Sequence, residues 1–287
     1  MPYYIFAWIA AVAYGVEVII GKLTSKYSVK NPWLFNYIWL LFGLIFIIPV
    51  ALINKVTMPL AFNYIIYAAI CNVLYNTLFT FALYKVDASV ISPMFSFRVV
   101  FSALFAAVLL GEVLGVPQYI LIGIIFIAGL FVSIDEKLSL KTFFKLSHLL
   151  LLLAMVSLAL WSVFMKKAML QNGYWSATLW LLIFSQIFAT ITLPAFIKDL
   201  KKITKKQFTN LFLVSVASFI GLLASFKAFS VNVSISTAIG SIPTSMIFAF
   251  ILSIFVPKLL EKHTLKVYAI RFGIAAIMII SALILSR

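Results

Sequence analysis

The chain has 287 residues, of which 65% are hydrophobic and 10% are charged. A soluble domain carries about 25% charged residues, so this composition excludes a soluble globular protein. The formal net charge of +15 would suit a nucleic-acid partner only if the basic residues formed one patch. Most of them lie on one side of the predicted membrane spans, in alternate connections, so the basic excess is interpreted as a topology signal and not as a nucleic-acid patch.

Apolar runs long enough to span a membrane recur along the whole chain. A membrane helix needs about 20 mostly apolar residues to cross the hydrocarbon layer. The intervals are short and rich in proline, asparagine, glycine and lysine, so none can hold a soluble domain. The sequence therefore predicts an all-α integral membrane protein with ten transmembrane helices. Their approximate bounds are 3–21, 33–53, 62–84, 88–111, 117–134, 148–168, 174–196, 208–230, 233–256 and 267–286.

The first span contains an acidic residue, Glu17, within the apolar run "AVAYGVEVIIGKL". No basic residue precedes this span, so it lacks the positive front of a secretory signal and is predicted to remain a helix. At about 1.5 Å per residue, Glu17 lies about 8 Å from the C-terminal end of the span. Tyr14, in the same span, is predicted to form a wall of an internal cavity.

Polar side chains recur every four residues in the third span, as Asn72, Asn76 and Thr80, with Tyr75 beside them. This spacing places them on one face of the helix. Close packing between helices also uses small polar residues. Two amides at mid-span, however, need hydrogen-bond partners, which favours water or a ligand. Asn72, Asn76 and Tyr75 are therefore candidate site residues.

The fourth span contains Arg98 within the apolar run "SPMFSFRVVFSALFAAVLL". A charged side chain at mid-membrane costs about 3 kcal/mol, so it normally faces the interior of a helix bundle or water. Counting about 1.5 Å per residue places Arg98 about 15 Å deep, near the membrane midplane. We therefore expect Arg98 to face a cavity.

Glu17 and Arg98 are separated by about 7 Å along the membrane normal, and two interpretations of the pair remain open if they meet. They form a permanent buried salt bridge between spans 1 and 4, or they line a cavity and bind solute. In the second case Arg98 binds a carboxylate or phosphate, and Glu17 binds an amine or a proton. A zwitterion such as an amino acid would satisfy both charges.

The later spans contribute two further candidate site residues. Trp161, in the sixth span, is predicted to be a second cavity wall, and Ser241 belongs to a stripe of hydroxyl residues in the ninth span. Close helix packing explains that stripe as well. Pro243 predicts a bend in the ninth span. Lys227 and Arg271 lie nearer helix ends, where their side chains are expected to extend to the membrane surface.

Motifs for enzymatic chemistry are nearly absent. The two histidines, His148 and His263, lie beside connections, and no group of His, Cys, Asp and Glu has the spacing of metal ligands. No glycine-rich loop precedes a Lys-Ser/Thr pair, so ATP hydrolysis by this chain is not expected. We predict no enzymatic activity, no catalytic residue, no metal and no cofactor.

The distribution of basic residues predicts the orientation in the membrane. Most lysines lie in the odd-numbered connections, whereas the opposite face carries Lys55, Lys166, Lys167 and Arg287. By the positive-inside rule the odd-numbered connections are cytoplasmic, and both termini lie on the other side of the cell membrane. Some of these lysines are expected to contact anionic lipid.

Two segments of the chain show weak internal similarity. The segment "FALYKVDASVISPMFSFRVVF" from Phe81 aligns with "SFKAFSVNVSISTAIGSIPTSM" from Ser225 at an offset of 145. This alignment pairs Arg98 with Pro243, and Glu112 pairs with Glu261 after a four-residue insertion. Two halves of five spans follow, residues 1–137 and 145–287. Because five is odd, the halves are predicted to be inverted repeats.

Ten spans in two such halves resemble the drug/metabolite transporter superfamily, EamA branch. The resemblance includes an acidic turn and a glycine-bearing last helix, as in "LLGEVLGVPQYILIGIIFIAGL". It implies that spans 1–4 and 6–9 line a transport path and that spans 5 and 10 pack outside it. The family also tends to have prolines near the middle of spans 4 and 9. Pro243 fits, whereas Arg98 occupies the matching position of span 4, with Pro93 earlier.

We therefore expect a secondary transporter that moves a small polar or amphipathic metabolite, such as an amino acid, by alternating access. The expected partners are the solute and the lipid bilayer, and a proton or counter-solute remains open as the coupling partner. The oligomeric state also remains open. The alternative is a non-transporting membrane protein on the same fold, such as a scaffold, receptor or scramblase.

Overall fold

The computed structural model describes residues 2–85, 88–133, 146–255 and 265–286. Within these residues the secondary structure is helical, without strands, which confirms the predicted all-α class. The α-helices are α1 (Tyr3–Tyr27), α2 (Pro32–Ile53), α3 (Asn63–Lys85), α4 (Ala88–Leu110), α5 (Val116–Ser133), α6 (Leu146–Asn172), α7 (Tyr174–Thr190), α8 (Ile197–Leu200), α9 (Lys205–Phe229), α10 (Val233–Gly240), α11 (Thr244–Phe255) and α12 (Leu265–Leu285).

Several of these helices are long and apolar enough to cross a membrane. Among the described residues six segments qualify: Tyr3–Tyr27, Pro32–Ile53, Asn63–Lys85, Leu149–Asn172, Lys205–Phe229 and Val233–Leu252. Three shorter apolar helices are Met94–Leu110, Val116–Phe131 and Ala269–Leu285. The chain is therefore a multi-pass membrane protein. The full count of ten spans stays a prediction.

The predicted ninth span consists of two helices, α10 and α11. α10 ends at Gly240, and α11 begins at Thr244. Pro243 lies in the break, where a proline has no N–H to donate to the preceding turn. The bend expected at Pro243 is therefore an interruption of the helix.

Several helix starts are determined by local sequence. The side chain of Asn31 accepts hydrogen bonds from the backbone N–H groups of the first turn of α2, and a proline follows it at the first helical position. Thr204 and Gln207 form a reciprocal capping box at the start of α9. Asn232 accepts a hydrogen bond from the Ile235 N–H at 2.7 Å and caps α10.

Helices from the first half of the chain pack mainly against helices from the second half. α1 packs most extensively against α9, and α3 against α6. α1 also contacts α10 and α11, while α4 contacts α6. α2 packs against α7, and α5 against α12. The buried cores accordingly contain residues from both halves.

Asparagine side chains join connections that are distant in sequence. Asn172 donates from Nδ2 to the Ala61 carbonyl at 2.9 Å and accepts from the Ala61 N–H at 2.9 Å. This pair joins the end of α6 to the α2–α3 connection. Asn31 donates to Asp199 Oδ2 at 2.7 Å, which joins the α1–α2 connection to α8.

Some predictions concern residues outside the described ranges. The boundary between the two predicted halves, at residues 137–145, and the landmark Glu261 lie outside them. The same holds for His263, for the terminal Arg287 and for the side chain of Pro93.

Candidate functional site

A cavity lies between helices of the two halves. The atom-free space within it, the open mouth included, is about 880 Å³. α1, α2, α3, α4, α6, α7 and α9 line it, together with residues around the break between α10 and α11. α5 and α12 contribute no lining residue among those described.

Seven of the eight predicted site residues line this cavity: Tyr14, Glu17, Asn72, Tyr75, Asn76, Arg98 and Trp161. Ser241 does not line it, although its neighbours Gly240 and Ile242 do. The Ser241 hydroxyl instead donates to the Ala238 carbonyl at 2.7 Å. Ser241 is the residue directly after α10 and caps its C-terminal end, so its side chain bonds the backbone of that helix.

Arg98 is buried, with 3% of its surface exposed. Its Nη2 donates to the Ser162 hydroxyl at 2.8 Å, and the guanidinium carbon lies 5.4 Å from the centre of the Phe229 ring. The Nε atom has no hydrogen-bond partner among the described residues. Arg98 is thus in contact with one hydroxyl and one aromatic face, while its Nε–H is left without a partner within the described ranges.

Glu17 is equally buried, with 3% of its surface exposed. The Ser218 side chain lies close enough to interact with its carboxylate, and Oε2 has no partner among the described residues. The ion pair found among these residues joins Lys166 to Glu112. The direct salt bridge between Glu17 and Arg98, which the sequence left open, is therefore not formed in this structure.

Three buried polar side chains form a chain of hydrogen bonds on one side of the cavity. Asn76 Nδ2 donates to Asn72 Oδ1 at 2.7 Å, and Asn72 Nδ2 donates to the Ser185 hydroxyl at 2.9 Å. The Asn72 amide is thereby held in one orientation. Thr80, the third member of the predicted polar stripe, is buried but does not line the cavity.

Aromatic rings form much of the remaining wall. The Tyr75 and Trp161 rings are stacked, with centroids 6.3 Å apart and planes 12° apart. Trp161 Nε1 has no hydrogen-bond partner in the described part of the chain. Tyr14 and Ser225 share a hydrogen bond of 3.0 Å between their hydroxyl groups, which connects α1 to α9.

Sequence reasoning missed several cavity residues. Trp39, Phe95 and Phe219 line the wall, but the chain has 28 Phe, 12 Tyr and 6 Trp, so aromatic character alone distinguishes none of them. Ser162 and Ser185, which bond Arg98 and Asn72, were also missed. Ser162 follows Trp161 directly, and this adjacency is the signal that could have found it.

The two basic residues near helix ends behave differently. Lys227 is exposed, and its Nζ lies 5.8 Å from the centre of the Tyr174 ring, as expected for a side chain that extends to the surface. Arg271 has only 3% of its surface exposed. The prediction that Arg271 reaches the membrane surface is wrong, because its side chain is buried within the protein.

The helices and the cavity define a class: a multi-pass membrane protein with an internal cavity that is lined mainly by apolar and aromatic side chains and also by a few polar and charged ones. A family match is found for the first part of the chain. Residues 1–134 match the model of the EamA-like transporter family, which confirms the resemblance to the drug/metabolite transporter superfamily. The match indicates a membrane transporter in general terms, without naming its solute.

Solved structures share the fold. One crystal structure, described only as that of a protein, aligns with 96% of this chain and 95% of its own chain, with a TM-score of 0.68 and 11% sequence identity. At this identity the similarity concerns the fold alone. No curated protein matches the sequence.

Proposed function

We propose that the protein is a secondary transporter that moves a small polar or amphipathic metabolite by alternating access, and that the solute is an amino acid or a related zwitterion. The family match over residues 1–134 supports transport in general. The chemistry of the cavity supports the solute class.

One observation carries the proposal. Glu17 Oε2 and Arg98 Nε are polar atoms of buried, oppositely charged side chains in one cavity, and neither has a partner among the described residues. A buried charge is costly unless it is paired and hydrogen-bonded. Because these two groups do not pair with each other, a zwitterion that brings an ammonium and a carboxylate compensates both. The aromatic walls suit an apolar portion of the same solute.

We also propose that the two halves are inverted repeats, each of five spans. The helix contacts support this, because they recur when the halves are exchanged: α1 on α9 corresponds to α6 on α3, and α1 on α10 and α11 corresponds to α6 on α4. Two lysines follow the same correspondence. Lys22 donates to the Leu83 carbonyl at 3.0 Å, and Lys166 donates to the Val231 carbonyl at 2.8 Å. Each therefore binds a carbonyl within two residues of the C-terminal end of a corresponding helix, α3 or α9.

We place the protein in the cell membrane, with the odd-numbered connections in the cytoplasm. The excess of lysine in these connections supports this orientation. Transport is driven by a gradient, and Glu17 is the group proposed to carry a proton if the coupling ion is H⁺. A counter-solute exchanged through the same cavity is the other form of coupling.

The test is solute flux in liposomes containing the purified protein. A panel of radiolabelled amino acids, organic acids and amines is offered to the wild type, to Arg98→Gln and to Lys227→Gln, the last an exposed lysine outside the cavity. We expect flux of at least one zwitterion, a large loss in Arg98→Gln and no loss in Lys227→Gln. A folded protein that moves no member of the panel would favour the non-transporting alternative.

A further inference from the structure

The segment between α4 and α5 contains a carboxylate with four hydrogen-bond donors. Glu112 Oε1 accepts from Lys166 Nζ at 2.8 Å and from the Val233 N–H at 2.9 Å. Glu112 Oε2 accepts from the Ser234 N–H at 3.2 Å and from the Ser234 hydroxyl at 2.9 Å. The Glu112 and Lys166 side chains are 9% and 12% exposed. Both oxygens of this carboxylate are therefore engaged.

The donors belong to two different helices of the second half, whereas Glu112 belongs to the first half. Lys166 lies on α6, and Val233 and Ser234 are the first residues of α10. A negative charge at a helix start is favourable, because the first N–H groups of a helix have no partner within it. Lys166 also donates to the Val231 carbonyl at 2.8 Å. One carboxylate thus joins the α4–α5 connection, α6 and the start of α10.

α10 connects this cluster to the cavity. The helix has 8 residues, so it is about 12 Å long. Its first residue binds Glu112, while Gly240 at its other end and Ile242 just beyond it line the cavity. The break at Pro243 separates α10 from α11. Because α10 is short and interrupted, it can move as one body relative to α11, and its position at the cavity depends on what holds its start.

We propose that Glu112, Lys166 and the start of α10 form a latch that keeps the cavity closed towards the face of the protein that carries segment 111–115. Opening towards that face requires the ion pair to separate and α10 to be released. This inference rests on the proposed alternating-access function. Such a cluster suits an element with two stable states. In the closed state the partly buried ion pair is fully hydrogen-bonded, and in the open state water solvates each of the two separated charges.

The test measures access to the cavity with a thiol reagent that does not cross membranes. In a Cys71→Ala background, which removes the single cysteine, the cavity-lining residue Leu40 is replaced by cysteine as the reporter. A separate protein carries Val113→Cys, since Val113 lies in segment 111–115 and is 91% exposed. Labelling of Val113→Cys in right-side-out or inverted vesicles identifies the face that carries the latch.

Lys166→Gln removes the ion pair but leaves Glu112 to cap α10. We expect it to raise the rate of Leu40→Cys labelling from the latch face at least roughly threefold, with no rise from the opposite face. Lys167→Gln is the matched control, because Lys167 is the neighbouring lysine and contacts the ring of Tyr64, 4.9 Å from Nζ to the ring centre. Its labelling rate should equal that of the parent.

Two results would overturn the latch. The first is an unchanged rate of Leu40→Cys labelling from the latch face in Lys166→Gln, whatever the melting temperature of this variant. The cluster would then be only a static cap of α10. An equal rise from both faces would indicate general loosening. Because labelling needs no solute, a protein that fails every flux assay can still pass or fail this test, so the two proposals fail separately.

Discussion

The Arg98 guanidinium donates from Nη2 to the Ser162 hydroxyl at 2.8 Å and so joins the two halves of the chain inside the cavity. The bond leaves Nε of Arg98 without a partner among the described residues. A lysine at this position would have a single ammonium group. Unlike the planar guanidinium, it could not bond Ser162 with one nitrogen and present a second nitrogen to a solute carboxylate.

We therefore expect Arg98→Lys to bind solute more weakly than the wild type. Loss of one charge-assisted hydrogen bond, about 1.5–3 kcal/mol, corresponds to a rise in Kd of roughly 10- to 100-fold. Isothermal titration with a transported solute measures the Kd. Ser162→Ala, which removes the hydroxyl that Arg98 bonds, is measured beside it. An unchanged Kd in Arg98→Lys, with the fold intact, would remove Arg98 from the binding site.

Glu17→Gln replaces the carboxylate by an amide of the same shape. If Glu17 carries the coupling proton, uptake driven by a pH gradient is lost while exchange of solute on both sides of the membrane persists. Both rates are measured in the same proteoliposomes. Ser218→Ala, which removes a hydroxyl close to the Glu17 carboxylate, should retain pH-driven uptake. Full pH-driven uptake in Glu17→Gln would assign the coupling to another group.

Gly221 allows the Tyr14 ring to approach α9. A Cβ atom added at Gly221 would lie 2.7 Å from Cε1 of Tyr14, so the ring and its hydrogen bond to Ser225 must shift in Gly221→Ala. Overpacking of this kind costs about 1–3 kcal/mol. We expect a lower melting temperature and weaker solute binding. Gly123→Ala is the control, because nothing lies within 4 Å of a Cβ there; equal melting temperatures for the two variants would contradict the prediction.

Ser185→Ala deprives Asn72 Nδ2 of its partner at 2.9 Å. A buried donor without a partner costs about 1–3 kcal/mol. We expect thermal unfolding in detergent to show this loss. In Ser157→Ala, the removed hydroxyl bonds only the Leu153 carbonyl of its own helix, so the change should stay below about 0.5 kcal/mol. Equal losses of unfolding free energy in Ser185→Ala and Ser157→Ala would mean that the hydrogen bonds among Asn76, Asn72 and Ser185 contribute no specific stability.

The stability that Glu112 contributes should depend on pH. Burial raises the pKa of Glu112, but the hydrogen bonds from Lys166, Val233 and Ser234 outweigh it and hold the pKa below its ordinary value of 4.5. A carboxyl whose pKa is lower in the folded state stabilises the protein above the unfolded pKa, and this contribution is lost as the pH falls through the folded pKa.

The difference in melting temperature between wild type and Glu112→Gln should therefore be complete at pH 7 and shrink as the pH falls below about 4.5. Lys166 contacts the carboxylate, and Tyr3 interacts with it electrostatically. Neither side chain type ordinarily titrates in acid, so the change reports on Glu112. A difference that grows on acidification would have the wrong sign.

Much of the helical structure was readable from the sequence, because hydropathy and capping are local. Apolar runs predicted the helices, whereas the caps formed by Asn31 and by the Thr204–Gln207 pair were not among the predictions although they are local in sequence. The sequence predicted side-chain positions less reliably where the packing of helices against each other determines which side chains are buried. Arg271 lies near a helix end yet is buried, and the hydroxyl of Ser241 bonds the Ala238 carbonyl of α10 although its neighbours line the cavity.

By itself the sequence determined that this is an all-helical membrane protein and that Glu17 and Arg98 need compensation, since the cost of a charge in an apolar run does not depend on its neighbours in space. Only the tertiary structure decided what compensates them. Ser162 and Ser218 come from helices far along the chain, and the two charges face one cavity without touching. Which side chains meet depends on how helices pack across the two halves, and the spacing of residues along one helix does not specify that.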